Sequence, residues 1–185
     1  MKSVFVALAL ALAVSHAQAP QRVAMHPPAA VAVAATHIPL GMLANLEHNF
    51  DQRLEAMDGK DPLDWWGWGG TRGLYIEGFG TVFTTELSLI VTPGVSPFRP
   101  TISDELKLQV HQRKLAHLTP LEDLMKDLMK VSALTLSPLP DDQKIVFAVR
   151  VRYLSWEDTK DLPAQILMTA DKKSAILGDI RTKVE

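Results

Sequence analysis

Apolar residues recur at helical spacing in one part of the chain and at strand spacing in another, and this contrast outlines the elements. After Pro39, apolar side chains return every three or four residues, which is the spacing of one helix face, over about residues 40–58. They are Leu43, Leu46, Phe50, Leu54 and Met57. Gly59, a residue that suits a left-handed helix end, marks the expected stop.

Two more helical regions follow from capping signals. Ser103 is a good N-cap residue, so a helix is expected from there to about Leu118. The sequence TPLE at 119–122 has the spacing of a capping box with proline at the first helical position, which predicts a break and a new helix to about Leu134. A terminal helix is expected over about 170–180.

Strand-like segments lie on either side of the long helical region. The clearest of them covers 144–154 and alternates apolar and polar residues. Gly78 and Gly80 separate two others and predict a hairpin or a strongly bent strand. The four predicted strands are 74–76, 81–91, 144–154 and 164–169.

The element order α-β-β-α(α)-β-β-α predicts the fold class. Strands joined by connections short enough for hairpins pair antiparallel, and amphipathic helices bury their apolar stripes against a sheet. The sequence therefore predicts an α+β domain with a mostly antiparallel sheet of about four strands and with helices packed on one face.

The first residues have the three parts of a secretory signal peptide. Lys2 gives a positive start, an apolar run covers 4–14, and small residues follow at two candidate cleavage sites. The run is about half of the ~20 residues that a membrane span needs. Cleavage after Ala19 would leave Pro20 first, which a peptidase processes poorly, so cleavage after Ala17 is preferred.

These features divide the chain into three parts. Residues 1–17 are the expected cleavable signal, and 18–38, rich in Pro, Ala and Val, is expected to be a flexible tether. A short edge strand at 31–35 is the alternative within that tether. Residues 39–185 form the expected single α+β domain, and no stable membrane span is expected after signal cleavage.

Composition narrows the classes of function. The net charge of −2 and a pI of about 6.3 disfavour nucleic-acid binding. The chain has no cysteine, which excludes thiol chemistry, thiolate metal sites and a lipid anchor on cysteine. An exported chain without cysteine favours the bacterial periplasm or the cell exterior.

The most unusual segment, WWGWGGTRG at 65–73, holds three of the four tryptophans. Tryptophan rings are costly to leave in water, so they either pack back on the core or form a binding surface. The candidate binding residues are Trp65, Trp66, Trp68, Arg72 and Tyr75.

No known motif in the sequence predicts a catalytic residue, a metal site or a cofactor. The GFG at 78–80 lacks the third glycine of a dinucleotide fingerprint, His111 and His117 are too widely spaced for a zinc helix, and no G-x-S-x-G occurs. Glu77 and Glu86 are the remaining acid–base candidates.

We therefore expect an exported, non-enzymatic envelope domain with a binding or structural role, whose partner is an envelope protein or a glycan. The alternative is a secreted hydrolase or carbohydrate-active enzyme that uses Glu77 or Glu86 beside the tryptophan-rich segment.

Overall fold

The structure, a computed structural model, describes residues 37–57, 70–95, 97–98 and 101–185. These residues all belong to one compact unit, Ala34–Glu185. The expected signal at 1–17, most of the expected tether at 18–38 and the three tryptophans at 65, 66 and 68 lie outside the described residues. Ile38, the last residue of the expected tether, is buried in the hydrophobic core.

Three helices form along the described chain. They are α1 (Leu40–Ala56), α2 (Asp104–Thr135) and α3 (Lys172–Leu177). The apolar stripe expected for α1 is confirmed, because Leu43, Leu46, Phe50 and Leu54 are its buried residues. The Ser103 hydroxyl caps α2 by accepting the N–H of Leu106 at 3.3 Å.

The expected break near residue 119 is absent, because α2 runs unbroken through Pro120. A proline inside a helix removes the hydrogen bond to the carbonyl four residues before it. Pro120 and Ala116 are both exposed, so water can take the place of that bond. The buried Leu121 and Met125 continue the apolar stripe and hold the second half of α2 to the core.

Five strands form one sheet in the spatial order β1-β2-β3-β4-β5. Their bounds are β1 Arg72–Ile76, β2 Gly80–Leu87, β3 Lys144–Val151, β4 Gln165–Asp171 and β5 Arg181–Val184. The pair β2 and β3 is parallel and the other pairs are antiparallel. The long α2 connection allows this parallel pairing, and the α+β class is confirmed with one strand more than expected.

The expected hairpin between β1 and β2 is also confirmed. Gly78 has a positive φ of 73° in the turn, and the N–H of Phe79 donates to the carbonyl of Ile76 at 3.1 Å. Gly80 begins β2 so close to β3 that a Cβ there would lie 1.9 Å from the carbonyl oxygen of Lys144. Only glycine fits at this contact between the two parallel strands.

Alternate residues of β2 and β3 form the core face of the sheet, on which the helices pack. Phe50 of α1 lies edge-on to Phe83 of β2 and Phe147 of β3, with ring centroids 5.0 and 4.9 Å apart. All three rings are fully buried. Edge-to-face packing of aromatic rings adds to the gain from burial, so this trio ties α1 to the parallel strands. The opposite side is the outer face.

Candidate functional site

The tryptophan-rich segment ends in a stem that two carboxylates of α1 hold in place. The N–H of Thr71 donates to Asp51 Oδ1 at 2.8 Å, and the N–H of Gly73 donates to Glu47 Oε1 at 2.7 Å. A Cβ at Gly73 would lie 2.6 Å from the Phe83 ring, so the glycine allows the stem to approach the core. Bonds from carboxylates to backbone N–H groups are strong, and the path of the chain into β1 is therefore well fixed.

Arg72 and Tyr75, the two candidate binding residues that the structure describes, point to opposite faces of β1. Arg72 is exposed on the outer face beside Thr84 and donates through Nη1 to the carbonyl of Thr71 at 3.1 Å. Tyr75 is half-buried on the core face and packs against the hydrophobic core. The structure therefore does not bring these two side chains to one surface.

The outer face of β1 carries an exposed apolar surface instead. Leu74 and Ile76 lie on the same face as Arg72 and are 46% and 44% exposed. We call these three residues the β1 outer surface. β1 is an edge strand, and exposed apolar residues at a sheet edge are typical of a contact site.

Glu77 and Glu86, the acid–base candidates, lie far from each other. Glu77 is exposed in the hairpin turn before β2, whereas Glu86 lies near the other end of that strand. A strand rises about 3.3 Å per residue, which separates the two by roughly 20 Å. The paired carboxylates of glycosidases lie about 5–10 Å apart.

Glu86 has basic neighbours on the outer face. Its Oε1 lies 3.8 Å from Arg150 Nε and 3.6 Å from Arg152 Nε. This is the arginine pairing that strand alternation predicts for an acidic residue on a solvated face. We call these three residues the outer ion cluster.

His48 and His111 make contacts in different parts of the fold. His48 hydrogen-bonds Gln52 at 3.0 Å on α1, and His111 Nδ1 lies 3.0 Å from the carbonyl oxygen of Asp158. Within the described ranges, no group of three or more histidine, aspartate or glutamate side chains has the geometry to hold a metal ion.

One polar cluster that the sequence analysis missed lies at the carboxyl ends of β2 and β3. Such ends of parallel strands are where open α/β sheets place their ligands. The cluster comes from α2 and from the segments that follow the two strands. Its members, the buried ion cluster, are Ser88, Thr92, Lys114, Tyr153 and Glu157.

Lys114 and Glu157 are the centre of the buried ion cluster. Their side chains are each 1% exposed, and Lys114 Nζ contacts Glu157 Oε2 directly. Nζ also lies 3.5 Å from Ser88 Oγ and 4.8 Å from the centroid of the Tyr153 ring. The Thr92 hydroxyl donates to Glu157 Oε1 at 3.1 Å. Both charged groups thus have protein partners in place of water.

Burial changes the proton affinities in this cluster. Desolvation lowers the pKa of Lys114, and the adjacent Glu157 carboxylate opposes that shift. Desolvation, aided by the charge of Glu157, raises the pKa of Tyr153 to about 12. Burial therefore lowers the proton affinity of the Lys114 amine and raises that of the Tyr153 phenol.

A spacing signal was available for Lys114, though not for Glu157. Lys114 lies four residues after the buried Val110 and seven before the buried Leu121, which places it on the apolar stripe of α2. A lysine on such a stripe indicates a buried partner. Glu157 lies in a connection without periodicity, so no sequence pattern identifies it.

Comparison with protein-family models, with curated proteins and with solved structures finds no match for this chain. Among the described helices, none combines the length and the apolar character that crossing a membrane requires.

Proposed function

We propose that the protein is an exported, non-enzymatic binding domain of the bacterial envelope. Its contact site is the tryptophan-rich segment together with the β1 outer surface, Arg72, Leu74 and Ile76. The observation that supports this most is the exposure of Leu74 and Ile76 on an edge strand that directly follows the tryptophans in the chain. The buried centre of a protein–protein contact is more apolar than the rest of a protein surface, and arginine is enriched there.

The partner that fits this surface best is a protein. Sugar rings stack on flat aromatic rings, whereas the branched side chains of Leu74 and Ile76 gain most from burial under another apolar protein surface. The fixed stem supports the same interpretation. Asp51 and Glu47 hold the chain between the tryptophans and β1, so less order has to be gained on binding.

Photo-crosslinking in living cells tests the proposal. A photoreactive phenylalanine analogue replaces Leu74 in one strain and the exposed Leu134 of α2 in the control strain. We expect a protein adduct from position 74 and none from position 134. Trp66→Ala in the position-74 strain should lower the yield without lowering the melting temperature.

Equal adducts at both positions, no adduct, or an adduct with a glycan would overturn the proposed protein contact. Export is tested in the same cells by fractionation and by sequencing the mature N-terminus. We expect an extracytoplasmic chain that begins at Gln18. A cytoplasmic chain that retains Met1 would overturn the proposed location.

A further inference from the structure

Lys114 and Glu157 meet where water does not reach either reactive group. Both side chains are 1% exposed, and the amine contacts Oε2. An ammonium–carboxylate pair holds the same number of protons as an un-ionised amine beside a carboxylic acid. Desolvation lowers the pKa of Lys114, so its ammonium gives up a proton more readily than that of an exposed lysine. A neutral amine is a nucleophile, and an un-ionised carboxyl group accepts nucleophiles far better than a carboxylate does.

The other members of the cluster suit an attack of this amine on the carboxyl carbon. The Thr92 hydroxyl donates to Oε1, the oxygen on which negative charge would develop. The Tyr153 ring and Ser88 Oγ both contact the Lys114 amine, and these contacts limit its movement. Two groups held in a reactive geometry within one molecule can reach an effective concentration of about 10⁵ M or more.

We propose that Lys114 and Glu157 join through an intramolecular amide bond that the folded protein forms by itself. One proton of the Lys114 ammonium first passes to Oε2 of Glu157. The freed lone pair of Nζ adds to Cδ, and Oε1 carries the resulting charge towards Thr92. A second proton passes from Nζ to Oε2, which leaves as water, and the carbonyl re-forms at Oε1. One N–C bond forms and one C–O bond breaks, so neither an oxidant nor another reactant is required.

The bond would tie α2 to the segment that follows β3, across 43 positions of sequence. Small exported domains often gain this kind of constraint from disulfides, because a cross-link reduces the entropy of the unfolded chain. This chain has no cysteine. An amide between two side chains would constrain the unfolded state in the same way. The proposal does not depend on the proposed binding function.

Mass spectrometry of the denatured protein tests the bond. We expect the intact wild-type chain to be lighter than its sequence by the mass of one water molecule. Trypsin should not cut after Lys114, and peptides 114–126 and 153–160 should appear as one joined species. Lys114→Met and Glu157→Leu should each restore the full mass of the variant sequence and separate the two peptides.

Lys172→Met is the matched control. Lys172 is the other buried lysine of the described ranges, and its Nζ donates to carbonyl oxygens rather than to a buried carboxylate. This variant should keep the mass deficit. A wild-type chain of full mass overturns the proposal, as does a deficit that persists in Lys114→Met. Because the wild type alone decides the first outcome, the test holds even where a variant fails to fold.

Discussion

The buried ion cluster and the outer ion cluster contain the same kinds of charge, at the same end of the same two strands. Glu86 and Arg150 are register partners near the carboxyl ends of β2 and β3, on the outer face. Lys114 and Glu157 lie beyond those ends and are enclosed by α2 and the loops. The carboxylate of the outer cluster is 40% exposed, whereas that of the buried cluster is 1% exposed. Access of water is the main difference between them.

This difference determines what each cluster contributes. An exposed ion pair stabilises a protein by about 0–1 kcal/mol, because water competes for both charges. A buried pair gains little in net terms, but removal of one partner costs about 3–5 kcal/mol, since the other charge stays behind without solvent. Loss of one charged partner should therefore lower stability only slightly at the outer ion cluster and strongly at the buried ion cluster.

Lys114→Met should give the largest effect, a loss of about 3–5 kcal/mol in the free energy of unfolding. The variant leaves the Glu157 carboxylate buried without its cation, and it also removes the proposed amide cross-link, the loss of which lowers stability in the same direction. Denaturant unfolding measures it. Lys172→Met should lose less, because it removes hydrogen bonds to carbonyls and leaves no buried charge. Equal losses of stability in the two variants would contradict the explanation that an unpaired buried charge causes the larger loss.

The sequence predicts the fold well where periodicity is strong. The stripe of α1 and the alternation of β3 depend on burial of one face, which the order of apolar and polar residues reveals. β5 was missed because Arg181–Val184 is short, polar and exposed, so it has no buried face to reveal it. Residues 170 and 171 continue β4, and Gly178 adopts a left-handed conformation, which makes α3 shorter than expected.

The parallel pairing of β2 and β3 and the continuity of α2 depend on tertiary contacts. A capping box at 119–122 is a local signal, and packing of Leu121 and Met125 outweighs it. The buried ion cluster is harder still to predict. Its members come from three segments that are far apart in sequence, and only the position of Lys114 on the α2 stripe indicated it. The outer pairing of Glu86, by contrast, follows from strand alternation, because Glu86 and its register partner Arg150 lie on the same face of the sheet.

Thr92→Val tests the contribution of one hydrogen bond at the edge of the buried ion cluster. It removes the hydroxyl that donates to Glu157 Oε1. We expect a loss of about 1.5 kcal/mol, the lower end for a hydrogen bond to a charged group, since Thr92 is only half-buried. Denaturant unfolding provides the value. Thr84→Val, an exposed control on β2, should change stability by less than this, and a larger loss there would contradict the account.

The pH dependence of stability tests the effect of burial on Tyr153, a member of the buried ion cluster. The pKa of Tyr153 rises from 10.0 to about 12 on folding. A raised pKa means that the unfolded phenol ionises first, so the contribution is complete below pH 10 and is lost as the pH rises towards 12. Tyr153→Phe removes the phenol and keeps the ring beside Lys114, so it isolates this contribution. Unfolding curves over this range should fall more steeply for wild type, and parallel pH profiles would contradict the raised pKa.

Glu86→Gln should have the smallest effect, between about 0 and 1 kcal/mol. Arg150 and Arg152 remain exposed to water when the carboxylate is lost, so water solvates both guanidinium groups. Salt should reduce what little stabilisation the wild-type pair provides, since exposed charges are screened. Unfolding at low and high ionic strength measures both effects. A loss as large as that of Lys114→Met would mean that the outer cluster is also enclosed, and that burial does not separate the two clusters.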